Sequence, residues 1–147
     1  MSPAEDKSAS ESVDLSTVDG IDMNTFSQIL EMDDPGDHEF SYGIVFDFFT
    51  QVEETFKSMD KHLEEKDLYN LYTLGHFLKG SSATLGLTKV RDGCEKIQRY
   101  GKKENLDGSP EENEQICLER IEEALKAVKT DYAEIETVLR KYYKDEE

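Results

Sequence analysis

The feature that most constrains this chain is an apolar stripe near its C-terminus, whose members alternate at intervals of three and four residues. This spacing is typical of one face of an amphipathic helix, because the side chains of a strand would alternate every two residues. The stripe therefore predicts one long helix. Its members are Leu118, Ile121, Leu125, Val128, Tyr132, Ile135, Leu139 and Tyr142.

Three earlier segments, at residues 45–63, 68–85 and 87–101, have similar apolar spacing, and no segment shows convincing strand alternation. A shorter helix is predicted to begin at Asp22, whose carboxylate can accept a hydrogen bond from the first helical turn. The C-terminal stripe alone would also suit a coiled coil, but matching stripes within one chain favour an intramolecular bundle. We therefore predict an all-α, up-and-down antiparallel four-helix bundle with a short additional N-terminal helix.

Residues 1–20 are rich in serine and acidic residues and poor in large apolar residues, so we expect a disordered tail there. Residues 21–147 should form a single domain.

No apolar run approaches the roughly 20 residues that a membrane-spanning helix needs. We expect a monomer in the cytoplasm, and at 16.8 kDa the chain could also enter the nucleus.

The formal net charge of −17 argues against nucleic acids and anionic membranes as partners, because both would be repelled. The glycine-rich motifs that bind nucleotide phosphates are also absent from the sequence. Cys94 and Cys117 are far apart, and with only three histidines they offer no zinc-ligand set. We therefore predict no metal site, and we expect both cysteines to be buried thiols in a reducing compartment.

The segment LGHFLKGSSATLG, residues 74–86, carries the candidate chemistry. A helix turns by about 100° per residue, so His76 should point away from the core if Leu74 and Leu78 face it. Lys79 and Gly80 follow His76 by three and four residues and should share its outward face. The spacing therefore predicts an exposed histidine beside a lysine and a glycine.

Gly80 weakens its helix by roughly 1 kcal/mol relative to alanine. Two explanations remain open from the sequence: another protein needs the space to reach His76, or a neighbouring helix packs closely against the glycine. In the first case the small residues Ser81 and Ser82 would extend the accessible surface.

A neutral imidazole can accept a phosphoryl group on nitrogen, and the ordinary histidine pKa of about 6.5 keeps the ring largely neutral in cells. Lys79 would place a positive charge beside the transferring oxygens. The local sequence offers no metal-binding carboxylates and no second base, so a partner would have to supply them. His38 and His62 lack such neighbours, and we expect both to face solvent.

The run TLGHFLKGSSATLGL resembles the signature helix of histidine-containing phosphotransfer (HPt) domains, most closely the fungal intermediates of osmosensing phosphorelays. The flanking segments ILEMDD, FFTQVEETF, CEKIQRYGKK and LRKYY fit the same family in the same order. The resemblance covers residues 21–143. It implies a phosphocarrier without kinase activity of its own, which moves a phosphoryl group between receiver domains of a hybrid histidine kinase and of response regulators.

Within that resemblance, His76 corresponds to the phosphoryl acceptor and Lys79 to the lysine that steadies the phosphoryl group. Gly80 matches the glycine that lets the receiver approach, and Gln98 matches a glutamine that orients the histidine. The receiver-docking patch would include Ile29, Met32, Phe77 and Ser81. The resemblance implies no cofactor on this chain, since Mg²⁺ is expected on the receiver.

Two other functions remain open at this stage. A binding module could use the same patch to sequester receivers without transferring a phosphoryl group. A structural adaptor could instead use the long C-terminal stripe as a coiled coil.

Overall fold

The structure is a computed structural model that describes residues 14–146. Within this range it contains five α-helices and no β-strand, and the four longer helices pack against one another as a bundle. The predicted all-α bundle with a short additional N-terminal helix is therefore confirmed. The helices are α1 (Met23–Leu30), α2 (Glu39–Glu64), α3 (Leu68–Thr84), α4 (Thr88–Gly101) and α5 (Glu114–Glu146).

The core is formed by the apolar stripes of the helices, and the stripe of α5 is buried from Leu118 to Leu139. At its end the prediction is off by one residue, because Tyr143 is buried while Tyr142 is only half-buried. A straight α-helix has 3.6 residues per turn, so its buried face drifts away from a regular three-four repeat over many turns.

Regular structure is already present before residue 20, where we predicted the end of a disordered tail. Part of the predicted tail, residues 1–13, lies outside the described residues. Asp14 caps a 3-10 turn at Leu15–Thr17, and Leu15 is only 3% exposed and belongs to the hydrophobic core. Composition missed this contact because a single leucine in a polar segment has no periodic partner.

The strap, residues 20–22, joins the N-terminal part of the chain to the turn after α3. The amide of Asp22 donates to the carbonyl of Gly86 at 2.7 Å, and the amide of Thr88 donates to the carbonyl of Gly20 at 3.0 Å. Gly86 has a φ of +74°, and a Cβ there would lie 2.7 Å from the carbonyl oxygen of Asp22. The turn between α3 and α4 is thus fixed to the residue that caps α1.

The loop between α1 and α2 is held by Asp33, whose side chain is only 3% exposed. Its carboxylate accepts hydrogen bonds from the amide and hydroxyl of Ser41, at 2.7 and 2.6 Å. Burial raises the pKa of Asp33, but the Ser41 hydrogen bonds and nearby His38 outweigh it and hold the pKa below its usual value. The carboxylate therefore stabilises this loop in its ionised form.

His38, which we expected to face solvent, is only partly exposed. Its Nδ1 lies 3.2 Å from the Asp33 carboxylate, and its ring packs edge-on against Tyr142 and Tyr143 at the end of α5. The acidic loop sequence indicated exposure, but the contact with α5 is made by residues about a hundred positions away.

Candidate functional site

The site is centred on α3, whose N-terminus is capped by Asp67 through the amide of Asn70. His76 lies in the middle of this helix and is exposed, as predicted. The buried face of the same helix is formed by Leu68, Leu71, Gly75, Leu78 and Ser82.

Two residues of α3 lie differently from our expectation. Leu74 is only half-buried, because Gly75 rather than Leu74 lies at the centre of the core face. Ser82 is fully buried and its hydroxyl donates to the carbonyl of Leu78 at 2.7 Å, so it does not extend the accessible surface around His76. A serine can satisfy its own hydroxyl in this way inside a helix.

Gly80 is exposed, and a Cβ at this position would meet no atom within 4 Å in the described chain beyond the adjacent backbone of its own helix. None of the other described helices approaches it, so the packing explanation left open by the sequence is wrong. What the glycine provides is open space one helical turn from His76.

Gly75 has the opposite environment, and the sequence analysis missed it. A Cβ there would lie 2.9 Å from the backbone nitrogen of Gln98 and 3.0 Å from the carbonyl oxygen of Cys94. The backbones of α3 and α4 therefore approach closely at the residue immediately before His76. This approach brings Gln98 of α4 to the level of the histidine.

The side chain of Gln98 has an open hydrogen-bonding position. Its Oε1 is buried and has no hydrogen-bond partner within residues 14–146. A buried amide oxygen without a partner is uncommon in a folded protein. No hydrogen bond to His76 is formed within that range, so the orienting role implied by the resemblance stays a prediction.

Lys79 lies on the same helix as His76 but forms an ion pair with another helix. Its Nζ is 3.0 Å from Oε1 of Glu95 on α4. The other carboxylate oxygen of Glu95 is 4.0 Å from Nε of Arg99, which in turn pairs with Glu104 at 2.8 Å. The lysine charge is therefore shared with a chain of ion pairs along α4.

A second cation, Lys102, lies over the ring of Tyr72, which stacks with His76. The rings of Tyr72 and His76, one turn apart on α3, are stacked with centroids 6.5 Å apart and planes inclined by 26°. The Nζ of Lys102 is 5.5 Å from the centroid of the Tyr72 ring. Lys102 reaches this position because Gly101 packs against Tyr72, where a Cβ would lie 2.7 Å from the Tyr72 backbone nitrogen.

The charge of the chain is distributed unevenly around this site. Residues 68–103, which include α3 and α4, contain seven of the 17 basic residues but only two of the 34 acidic ones. The rest of the chain is strongly acidic. The exposed histidine therefore lies on the part of the surface best able to attract an anionic group.

The match to known sequences agrees with this geometry. Residues 43–138 match the Hpt domain family. The chain belongs to this family. The matched range includes His76, Lys79, Gly80 and Gln98.

Two of the proteins similar to this chain come from fungi. The Schizosaccharomyces pombe multistep phosphorelay regulator 1 is 48% identical over 124 residues, which are 84% of this chain and 42% of that protein. The Candida albicans phosphorelay intermediate protein YPD1 is 52% identical over 87 residues, 59% of this chain and 47% of that protein. The chain spans about half the length of these relatives.

A solved Hpt structure has the same architecture. It is the co-crystal structure of the Saccharomyces cerevisiae phosphotransfer protein Ypd1 with the receiver domain of its downstream response regulator Ssk1. The two folds superpose with a TM-score of 0.75 at 32% sequence identity, covering 86% of this chain and 95% of that chain.

The predicted docking residues differ in exposure. Met32 is 65% and Phe77 48% exposed, whereas Ile29 and Ser81 are half-buried. Met32 lines a groove of about 390 Å³ together with Phe40, a second exposed apolar side chain. Exposed large apolar residues are consistent with a binding surface, but their contact with a receiver stays a prediction.

His62, predicted to face solvent, is partly buried at the α2–α3 turn. Its Nδ1 lies 3.3 Å from Glu65 and 3.7 Å from Asp67. Hydrogen bonds from Asn70, with a smaller contribution from His62, lower the pKa of Asp67. These three side chains are close enough to share a cation, although the sequence indicated no such group. The Asp67 carboxylate is already engaged in capping α3. That the chain has no metal site stays a prediction.

Both cysteines are buried, as expected, and burial raises the pKa of Cys94 to about 12. Within residues 14–146, no helix has the length and apolar character needed to cross a membrane.

Proposed function

We propose that this protein is the histidine phosphotransfer intermediate of a multistep two-component phosphorelay of the osmosensing type. His76 would accept a phosphoryl group from a receiver-domain aspartate of a hybrid sensor histidine kinase. It would then pass the group to the receiver of a response regulator. The observation that carries this proposal is the open space at Gly80 beside an exposed histidine and a lysine on one helix face.

The transfer needs one attacking nitrogen and a way to stabilise charge. A lone pair of the neutral imidazole attacks phosphorus, and a P–N bond forms as the P–O bond to aspartate breaks. The carboxylate leaves with the electron pair of the broken bond, and the ring proton on the other nitrogen remains there or passes to water. The reverse exchange delivers the group to the next aspartate.

The remaining residues would position the reacting groups. Lys79 would neutralise charge on the phosphoryl oxygens. The Oε1 of Gln98, which has no partner within residues 14–146, is suited to accept a hydrogen bond from an imidazole N–H, and this bond would fix the ring orientation. Gly80 would admit the receiver surface, and the exposed side chains of Met32 and Phe77 would contact it.

The chemistry that this chain lacks would come from its partner. We propose that Mg²⁺ is held by the receiver, where it neutralises the transferring phosphoryl group, and that this chain needs no cofactor. The chain would be a phosphocarrier without kinase activity of its own. Incubation with ATP and Mg²⁺ alone should therefore leave it unlabelled.

Phosphotransfer with a labelled receiver tests the proposal. A receiver carrying a ³²P-labelled aspartyl phosphate is mixed with this protein and Mg²⁺, and the label should move to this protein as an acid-labile, alkali-stable phosphoryl group. His76→Gln should abolish uptake, whereas the matched control His62→Gln should label like the native protein. Label on the His76→Gln protein would contradict the assignment.

A second receiver separates transfer from sequestration. If the protein only sequesters receivers, label will not reach a response-regulator receiver that is added later. Rapid passage of label from the protein to that receiver, lost in His76→Gln, supports the relay.

We further propose that the protein acts as a monomer in the cytoplasm and the nucleus. Sedimentation should give one species whose mass does not change with concentration, which would argue against a coiled-coil adaptor. Fluorescence of a tagged chain should be found in both compartments.

A further inference from the structure

We propose that Glu95 is a positioning residue that competes with the phosphoryl group for Lys79 and thereby shortens the lifetime of phosphorylated His76. This inference rests on the proposed function. It assigns a role in the relay to a residue that neither the sequence pattern nor the family resemblance indicated.

The geometry of the unphosphorylated protein carries the argument. The ammonium of Lys79 is not free beside His76, because it lies 3.0 Å from Oε1 of Glu95. The two side chains are 34% and 42% exposed, so the pair lies in water and can separate without leaving a buried charge. Lys79 must therefore divide its time between Glu95 and any anion that forms on His76.

A replacement partner makes this separation easy. The other oxygen of Glu95 lies 4.0 Å from Nε of Arg99, the residue one turn further along α4. When Lys79 turns to a phosphoryl group, Glu95 keeps Arg99 as a counter-ion. Arg99 is itself tethered to Glu104 at 2.8 Å, which holds it close to Glu95.

The exchange should influence how long the phosphoryl group survives. Loss of the group requires water to attack phosphorus while the P–N bond breaks, which returns the electron pair to the ring nitrogen and releases inorganic phosphate. A lysine bound to the phosphoryl oxygens stabilises the phosphohistidine ground state. A carboxylate that draws the lysine away therefore makes the group easier to lose to water.

Four variants of the full chain test this proposal, compared with the native protein. They are Glu95→Gln, Lys79→Ala, the double variant and Glu136→Gln. Glu136 is the matched control because it also pairs with an arginine, Arg140 at 2.8 Å, but lies on α5. Each protein is phosphorylated with phosphoramidate, whose P–N bond breaks to release ammonia as the new P–N bond forms on histidine. The donor is removed and the decay of phosphohistidine is followed by ³¹P NMR.

We expect Glu95→Gln to lengthen the half-life of phosphohistidine about two- to fivefold, the scale expected when one exposed ion pair changes partners. Lys79→Ala should shorten the half-life, and adding Glu95→Gln to it should restore nothing, because the lysine through which Glu95 acts is absent. Glu136→Gln should decay like the native protein. A purely structural role of Glu95 would not produce this dependence on Lys79.

The outcomes distinguish the two proposals. If the native protein accepts no phosphoryl group from phosphoramidate or from a receiver, the proposed function fails, and the role of Glu95 fails with it. If the native protein is labelled but Glu95→Gln decays at the native rate or faster, only the role of Glu95 is overturned. It is also overturned if Glu136→Gln gives the same gain, or if the gain persists without Lys79.

Discussion

Gly75 and Gly80 lie five positions apart on the same helix, and their surroundings are opposite. A Cβ on Gly75 would press against the backbone of α4, whereas a Cβ on Gly80 would meet no atom of another helix or loop within 4 Å in the part of the chain that the structure describes. Both glycines lower the intrinsic helix propensity of α3 by a similar amount. Only Gly75 is explained by the fold of this chain, because its missing side chain permits close contact between two helices.

The contrast separates two uses of the same residue. Gly75 lets α3 and α4 approach, and so sets the distance between His76 and Gln98. Within residues 14–146, the missing side chain of Gly80 allows no close contact with another helix that would offset the lost helix stability. The space beside it is therefore available to a different molecule, which is the basis of the proposed phosphotransfer.

Gly80→Gln should have the largest functional effect. A long side chain one turn from His76 would hold the receiver away from the imidazole, and a misplacement of about 1 Å can slow a reaction on the order of 100-fold. The free energy of unfolding should not fall, since glutamine favours a helix more than glycine does. Rapid-quench transfer kinetics and urea denaturation check the two parts, and native transfer rates would contradict a role in access.

Gly75→Ala should have the largest effect on stability. The added methyl group would meet backbone atoms of Gln98 and Cys94, which cannot rotate away, so we expect the free energy of unfolding to fall by about 2 kcal/mol. Urea denaturation measures this loss. An unfolding midpoint equal to that of the native protein would show that the helix contact yields easily and would remove the contrast with Gly80.

Gly93 provides an intermediate case. A Cβ there would lie 2.7 Å from Cγ2 of Val128 on α5, a side chain rather than a backbone. Gly93→Ala should therefore destabilise the protein by about 1 kcal/mol, less than Gly75→Ala. In the background of Val128→Ala the cost should be smaller but should not vanish, because Cβ of residue 128 would still lie 2.8 Å from the new methyl group, and a double-mutant cycle in urea can measure the difference. Equal costs in both backgrounds would mean that the two methyl groups of Val128 are not part of the obstacle.

Gly80→Ala should give the smallest change, and one of opposite sign. Since no other described element comes within 4 Å of a Cβ at this position, the methyl group should stabilise the helix by roughly 0.5–1 kcal/mol. The transfer rate should fall much less than in Gly80→Gln. A loss of stability on urea denaturation would indicate that position 80 has an internal contact after all.

The elements of this fold were predictable from the sequence because their causes are local. Apolar spacing gave the helices, Asp22 gave the start of α1, and a turn of 100° per residue put His76 on the outer face. Gln98 became a candidate only through the family resemblance, since no local pattern distinguishes it from other polar residues of α4.

The contacts between helices could not be predicted in this way, because the local sequence does not show which helices pack against each other. The pair of Lys79 and Glu95 joins residues on different helices, and the partial burial of His38 depends on the end of α5. Gly75 could have been found, because it falls between Leu71 and Leu78 at core spacing. A glycine within a core stripe is a signal for close backbone contact.

The strap has a consequence for the entropy of binding. Asp22 caps α1 and donates its backbone amide to Gly86, so the helix preceding Met32 is anchored at the end of the helix that carries His76. That hydrogen bond restricts movement of the two helices relative to each other. A protein that docks on both would meet a surface that is already ordered, and little conformational freedom would be lost on contact.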